Sequence, residues 1–279
     1  MSIPPPADRP ALTDRAALIR QRARALRCGH ADFLHRIAID EIKDRLAEVN
    51  RSFTDVAIVT GFPDLWAAAF VGARIVADDP VLDLTPGAHD LVIHAMALHW
   101  ADDPVGQMVQ ARHALREDGL FIGVMLGNQT LAGLRAALAR AETEVTGGLS
   151  PRVLPMGEIR DLGGLLARAG LALPVADLVS QSVSYRDLIQ MARDLRAMGE
   201  GNAMAARLRR PTRRAVFARA AAIHAETHPD RDDPSRIRAD FDLVFLTGWS
   251  PSDTQPKPLR PGSARTHLAD ALNEPRTKT

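Results

Sequence analysis

Cysteine, lysine and aromatic residues are scarce in this sequence. Among 279 residues there is one cysteine, Cys28, so an internal disulfide and a zinc site built from several cysteines are excluded. Arginine supplies nearly all of the 35 basic residues, and aromatic side chains make up 4% of the chain. With so few aromatic residues between the arginines, the stacking surfaces of single-stranded nucleic-acid binders are not expected.

Long apolar runs are also missing. The longest, residues 91–100 and 120–126, are too short to span a bilayer, and the N-terminal residues lack the apolar core of a secretory signal. The 35 basic and 34 acidic residues leave a net charge of +1, so neither nucleic acid nor an anionic membrane is an expected partner. These absences predict a cytoplasmic protein that is not an integral membrane protein, although it can still associate with inner-membrane complexes.

What the sequence does contain is enough apolar material for a sizeable core: 46% hydrophobic residues beside 25% charged ones. Helix-spaced apolar residues predict an N-terminal helical segment at 13–50, broken at Gly29 and His30. A larger domain is expected at 51–250, with a helical insertion at about 186–236. Residues 1–12 and 251–279, rich in proline or polar residues, are predicted to be a flexible N-terminus and an extended C-terminal tail.

Short apolar runs alternate with helical stretches after residue 50. Strands are predicted at 55–60, 73–77, 89–95 and 119–125, followed by two late strands at 178–185 and 241–249. Buried strands separated by helices indicate a parallel sheet with crossovers. The late pair, separated by the helical insertion, predicts an antiparallel hairpin at the sheet edge. The expected fold class is therefore α/β.

Several longer motifs carry a family resemblance. The stretches HDLVIHAMALHWADDP and HALREDGLFIGVMLGNQTLAGLR resemble strands of the biotin-synthesis type of class I S-adenosylmethionine-dependent methyltransferase. The stretches AETEVTGGLSPRVLP, RDLGGLLARAG, MGEGNA and TGW, with QPKPLRPGSA, resemble the methyltransferase-like assembly factor group of respiratory complex I. The resemblance implies a Rossmann-like sheet and S-adenosylmethionine as cofactor. It also implies an iron–sulfur subunit of NADH:ubiquinone oxidoreductase as partner, with hydroxylation of one of its arginines.

The region that binds the cofactor in this family departs from the family pattern. A glycine-rich loop normally follows the first strand and lets the backbone approach the ligand. Here the loop has one glycine, Gly61, between Thr60 and the bulky pair Phe62 and Pro63. The unit that follows is too short for a complete crossover, so the cofactor half is predicted to be shortened. The resemblance assigns cofactor contacts to Thr60, Gly61, and the acidic pair Asp78 and Asp79 after what is aligned as the third strand.

Residues for catalysis are taken from two segments. The resemblance places His99 and Trp100 on the pocket floor, where a neutral histidine can act as a base or hydrogen-bond a guanidinium, and tryptophan can stack on it. Glu200, in a glycine-rich turn, is assigned as the third catalytic residue. The alternative for His99 and Trp100, together with His94, is ordinary packing at a strand end, and for Glu200 and Asn202 it is helix capping.

Other charged residues are weighed against simpler interpretations. Glu142 and Glu144 can clamp a substrate arginine, or they can be ordinary charges on a helix face. His224 and His228 have the spacing of two metal ligands, but no third ligand is evident, so no metal site is predicted. The arginine-rich helix at 15–27 is interpreted as solvated.

Three functional hypotheses follow from these residues. The first is an enzyme of the methyltransferase family that modifies an arginine of an iron–sulfur subunit. The second is a pseudoenzyme that keeps the fold as a partner-binding assembly module, which Ile58, Phe62 and Pro63 in the cofactor loop favour. The third is a carboxyl methyltransferase of the biotin-synthesis type, acting on a small molecule or carrier protein.

Overall fold

The computed structural model describes residues 11–255, so most of the predicted flexible N-terminus and C-terminal tail lies outside the described residues. The strands are β1 (Val56–Thr60), β2 (Arg74–Val76), β3 (His89–Ala95), β4 (Leu115–Gly127), β5 (Ala172–Tyr185) and β6 (Ile237–Trp249). The helices are α1 (Arg15–Cys28), α2 (Phe33–Glu48), α3 (Pro63–Ala69), α4 (Pro104–Ala114), α5 (Ala132–Thr146), α6 (Ile159–Arg168), α7 (Leu188–Ala197) and α8 (Arg214–Thr227).

All six strands form one sheet in the order β2-β1-β3-β4-β6-β5. The first four run parallel, with Ile58 of β1 opposite Ile75 of β2 and Ile93 of β3, and Ile93 opposite Ile122 of β4. β6 runs antiparallel to both β4 and β5. The predicted α/β fold, a mostly parallel sheet with an antiparallel edge, is therefore confirmed.

The two strands that come first in the sequence, β1 and β2, are short. β2 has three residues, lies at the sheet edge and pairs directly with β1. In the doubly wound order 3-2-1-4-5-6, the neighbour of the first strand is the second one. Asp78 and Asp79 therefore follow a strand that pairs directly with β1, the position of the second strand in that order, whereas the resemblance aligns them after the third strand.

Two helices precede the sheet and cover it. α1 begins after Asp14, whose carboxylate accepts a hydrogen bond of 2.9 Å from the Ala17 backbone N–H. The chain breaks at Gly29, where φ is +96°, as predicted from the sequence. α2 then buries Leu34, Ala38 and Ile42 against the sheet in the main core.

The helical insertion lies between β5 and β6 and consists of α7 and α8. Leu188 and Met191 of α7 join the same core as Val216 and Ala220 of α8. A second apolar cluster, around Leu166 of α6, fills the opposite face. No helix among residues 11–255 is long and apolar enough to cross a membrane.

Candidate functional site

The carboxyl ends of the parallel strands gather the residues that the sequence singled out. In open α/β sheets this edge is where ligands bind. Thr60 is the last residue of β1, and its hydroxyl accepts a 3.1 Å hydrogen bond from the Phe62 backbone N–H. Gly61 follows, and α3 begins at Pro63 with a φ that proline already favours.

Asp78, just past β2, holds two arginines of α1. Nη1 of Arg22 lies 2.8 and 2.9 Å from its two carboxylate oxygens, and Nη1 of Arg15 lies 3.1 Å from one of them. The side chains of Asp78 and Arg22 are each 6% exposed. Asp79 is largely exposed and bonds Arg15 at 3.3 Å. The two acids therefore have different roles, because Asp78 lies in a buried ion pair and Asp79 remains in solvent.

Burial alone raises the pKa of the Asp78 carboxyl. The positive charges of Arg22 and Arg15, with their hydrogen bonds, outweigh it and lower the pKa to about 2. Asp78 is therefore ionised at neutral pH, and it compensates the buried Arg22 guanidinium.

The three predicted catalytic residues meet at one carboxylate. A short 3-10 turn, Leu98–Trp100, follows β3, and Glu200 follows α7 by three residues. Oε2 of Glu200 accepts a hydrogen bond of 2.8 Å from the Trp100 indole N–H and lies 3.2 Å from Nε2 of His99. His99 and Trp100 are buried, so the turn and the helix insertion meet through a buried polar contact.

The Glu200 carboxyl is held in its charged form. Burial raises its pKa, but the charge and hydrogen bond of His99, the charge of Arg22 and the Trp100 N–H lower it below the ordinary value. Since an ionised carboxylate only accepts hydrogen bonds, Nε2 of His99 is the nitrogen that carries the proton. Among the described residues nothing donates a hydrogen bond to the other oxygen, Oε1.

His94 is the penultimate residue of β3, an interior strand of the sheet. Its Nε2 donates a 2.6 Å hydrogen bond to the side-chain oxygen of Gln107, whose amide nitrogen donates to the Asp79 carbonyl. The ring is fully buried, and burial lowers its pKa to about 4. His94 is thus a neutral residue that connects α4 to the loop after β2, as the packing alternative described it.

An open cavity of about 420 Å³ lies on the other side of Glu200, and we call it the Glu200 cavity. Its walls come from α5, α7 and the loops around residues 152–156 and 200–212. They are mainly aliphatic and include the arginines Arg152, Arg196 and Arg207. The lining includes Trp100, Leu126, Leu131, Leu134, Leu138, Arg152, Leu154, Met156, Leu188, Met191, Leu195, Arg196, Glu200, Asn202, Arg207 and Phe217.

Arg22 is the site residue that sequence reasoning missed. The arginine-rich helix was interpreted as solvated, yet Arg22 is buried in contact with Asp78. A signal was present: Leu18, Arg22 and Ala25 have the i, i+4, i+7 spacing of one helix face, and both apolar members are buried. An arginine in the apolar stripe of a helix indicates a buried partner.

Glu142 and Glu144 bind arginines of this chain. Glu142 accepts from Arg152 at 2.7 and 2.9 Å, and Glu144 pairs with Arg140 and Arg219 on the surface. Asn202 donates to the Pro151 carbonyl at 2.9 Å.

His224 and His228 stack with their ring centres 5.0 Å apart, and Nε2 of His224 lies 2.9 Å from the Arg238 carbonyl oxygen. The Asp230 carboxylate accepts hydrogen bonds from the backbone N–H groups of Asp232 and Asp233. Within residues 11–255, no group of three His, Cys, Asp or Glu side chains is placed to hold a metal ion.

Comparison with known proteins defines the class. No protein-family model matches the sequence. The YcgJ protein of Bacillus subtilis superimposes with a TM-score of 0.51 at 10% identity, covering 77% of this chain and 99% of YcgJ. With the sheet order, this likeness shows the fold: the chain has the class I S-adenosylmethionine-dependent methyltransferase fold.

Sequence relatives are more specific. Arginine-hydroxylase NDUFAF5, mitochondrial, of Danio rerio is 36% identical over 196 residues, 70% of this chain and 60% of that protein. Its Homo sapiens counterpart is 35% identical over 196 residues, 70% of this chain and 56% of that protein. Malonyl-[acyl-carrier protein] O-methyltransferase of Laribacter hongkongensis is 31% identical over 180 residues, 64% of this chain and 57% of that protein.

These relatives confirm the predicted resemblance to the arginine-hydroxylase group and to the malonyl-carrier methyltransferases. The chain spans little more than half the length of the curated relatives it matches.

The residues at the usual cofactor position do not fit S-adenosylmethionine. That cofactor needs free space above the loop after the first strand and a free acid after the next one. A Cβ built on Gly61 would overlap the Arg22 guanidinium, so this space is filled. Asp78 is already paired, and the Phe62 ring is buried in the loop itself. No reaction step is therefore assigned to this cofactor.

Proposed function

We propose that this protein acts on an arginine-bearing segment of a partner protein. The observation that carries the proposal is the 36% identity over 196 residues to a protein named an arginine-hydroxylase. The sequence motifs MGEGNA and SPRVLP, which resemble those of the complex I assembly-factor group, contribute Glu200, Asn202 and Arg152 to the lining of the Glu200 cavity. The partner is the one implied by the resemblance, an iron–sulfur subunit of NADH:ubiquinone oxidoreductase, and the modification is hydroxylation.

The Glu200 cavity suits an arginine side chain. An arginine has an apolar stem and a planar charged head, so it packs its stem on aliphatic walls while the guanidinium seeks a carboxylate. Leu188, Met191 and Leu195 supply such a wall. Glu200 supplies a charged oxygen, Oε1, that no described residue uses. In this proposal Glu200 receives the guanidinium, while His99 and Trp100 fix the orientation of its carboxylate.

Co-expression of the chain with the iron–sulfur subunit tests the proposal, with mass spectrometry of the subunit's arginine peptides as readout. We expect one arginine to gain an oxygen atom with the wild-type chain, with dioxygen as the oxidant, a two-electron reductant of the host cell as the co-reactant and water as the second product. Glu200→Gln should reduce the rate of modification at least about tenfold, since one charge-assisted hydrogen bond contributes about 1.5–3 kcal/mol. Glu144→Gln is the matched control, because Glu144 lies on the surface and away from the cavity.

A second candidate, a binding module without catalysis, is favoured by the buried Arg22–Asp78 pair in the cofactor position. It predicts that the subunit co-purifies with the chain while its arginines remain unmodified. Failure of both binding and modification contradicts both candidates. Carboxyl methylation of a carrier protein is the least supported alternative, because it requires the cofactor that the cleft does not fit.

The proposed cellular location of the chain is that of its proposed partner, the iron–sulfur subunit. We propose that the chain works in the cytoplasm beside a membrane-bound complex, whereas the NDUFAF5 relatives are mitochondrial by name. The absence of a nucleic-acid partner also stays a prediction.

A further inference from the structure

The cleft above the ends of β1 and β2 contains a side chain of this protein. We define the cofactor cleft as the space bounded by Gly61, Phe62, Asp78 and Gly199. A Cβ built on Gly61 would overlap the guanidinium of Arg22, and one built on Gly199 would lie 3.3 Å from its Cγ. Both glycines therefore permit the close approach of this arginine, and its side chain spans the cleft from Gly199 to Asp78.

The contacts of Arg22 replace those a nucleoside makes in such a fold. An acid after the strand beside β1 ordinarily binds ribose hydroxyls, and here Asp78 binds Nη1 of Arg22 through both oxygens, at 2.8 and 2.9 Å. The Arg22 guanidinium lies 5.8 Å from the centre of the Phe62 ring. On its other side, Phe62 stacks on His30 at 4.4 Å. Asp78, the loop at Gly61 and the Phe62 ring therefore all contact side chains of this protein.

We infer that Arg22 is a permanent internal occupant of the cofactor cleft, so that this protein folds around its own guanidinium and excludes S-adenosylmethionine. This inference goes beyond the proposed function, which uses the Glu200 cavity. It assigns to α1 a role that neither the sequence nor the relatives indicate.

The helix that carries Arg22 is fastened to the rest of the molecule. At its start, Asp14 N–H donates to the Ala203 carbonyl at 2.7 Å, and the Thr13 hydroxyl donates to the Trp100 carbonyl at 2.8 Å. Leu18, one turn before Arg22, is fully buried. Moving α1 away from the cleft would break these contacts and take both arginine partners, Arg22 and Arg15, from the Asp78 carboxylate, which is strongly unfavourable.

Two donors of Arg22, Nε and Nη2, are buried without a partner among the described residues. An arginine placed only to form an optimal ion pair would satisfy them. The close approach of Arg22 to Gly61 and Gly199 shows that the side chain also fills the space of the cleft. A shorter residue at position 22 should therefore open the cleft.

Calorimetric titration with S-adenosylhomocysteine, up to 1 mM on the full chain, tests the inference. We expect no binding to the wild type and no change in its melting temperature. Arg22→Ala should bind S-adenosylhomocysteine with a Kd at least about tenfold below the highest ligand concentration used. The control Arg20→Ala, at an exposed position of the same helix, should exclude the ligand as the wild type does.

Two outcomes overturn the inference. Binding to the wild type shows that the cleft is available, whatever α1 does. Exclusion by a folded Arg22→Ala shows that another group closes the cleft. If Arg22→Ala does not fold, Arg22→Gln takes its place, because glutamine still reaches toward Asp78 but withdraws from Gly61. The titration does not involve the iron–sulfur subunit, so its failure is separate from failure of the proposed function.

Discussion

Asp78→Asn is expected to destabilise the protein far more than the equivalent change at the surface. The pKa of the Asp78 carboxyl is about 2 against an ordinary 3.8, because its arginines outweigh the opposing effect of burial. That difference corresponds to roughly 2.5 kcal/mol of stability at pH 7. The substitution also strands Arg22, and breaking one partner of a buried pair costs about 3–5 kcal/mol. We expect a loss of about 2.5–5 kcal/mol.

Glu144→Gln is the matched control. Glu144 also holds two arginines, Arg140 and Arg219, and their hydrogen bonds lower its pKa to about 2. All three side chains are exposed by more than a third, so solvent screens the pairs and little stability is at stake. The two carboxylates thus have similar pKa values and different burial, and the comparison isolates the effect of burial.

Urea denaturation at pH 7 and at about pH 3 measures both variants. A lowered pKa means that the stabilisation is fully present above the unfolded value of 3.8 and is lost as the pH falls toward 2. The difference between wild type and Asp78→Asn should therefore shrink in acid. Equal losses for Asp78→Asn and Glu144→Gln at pH 7, or a difference independent of pH, would refute the reasoning.

Three further outcomes are expected. Gly61→Ala should lower the free energy of unfolding by about 1–3 kcal/mol through overpacking. Gly164→Ala, in open space on α6, should raise it by up to about 1 kcal/mol. The midpoints of urea denaturation measure both changes. Nitrogen NMR should find His94 neutral down to about pH 5, because burial lowers its pKa to about 4, and its contribution to stability falls as the pH drops from 6.5 toward 4. Trp100→Phe should cost about 1.5–3 kcal/mol, since Glu200 loses a charged hydrogen bond; an unchanged unfolding midpoint contradicts this.

The parallel half of the fold could be predicted because its signals are local. β3 was predicted at 89–95 and is observed there. α6 ends just before Gly170, whose φ of +79° is a conformation that other residues rarely adopt, so a turn residue marks this helix end in the sequence. Such features depend on short apolar runs and on turn residues, which a single sequence displays.

The late strands are longer than the sequence indicated. β5 begins at Ala172 and β6 at Ile237, several residues before the predicted starts. The unpredicted start of β5 is largely exposed at residues 173–175, so it lacks the alternating apolar pattern that marks a half-buried strand. The ladder to β6 over 172–185 decides its length, and that pairing is a tertiary effect.

At the candidate site, too, the sequence motifs identified single residues, whereas the contacts between distant residues depend on the tertiary fold. His99 and Trp100 were found through their motif, but their partner Glu200 lies about a hundred residues away. Arg22 was hidden among arginines that do face solvent, such as Arg20. Composition does not separate the two, and only the helix spacing of Leu18, Arg22 and Ala25 indicates which arginine of α1 is buried.

The Arg22 side chain both fills the cofactor cleft and affects the charge state of Glu200. Arg22 is one of the positive groups that keep the Glu200 carboxyl ionised despite its burial. If the cleft held a neutral group instead, burial would favour protonation of Glu200, and the cavity would offer an uncharged acid to its ligand. The guanidinium that excludes a nucleoside on one side therefore helps to keep a cation receptor on the other, and both properties depend on the same helix.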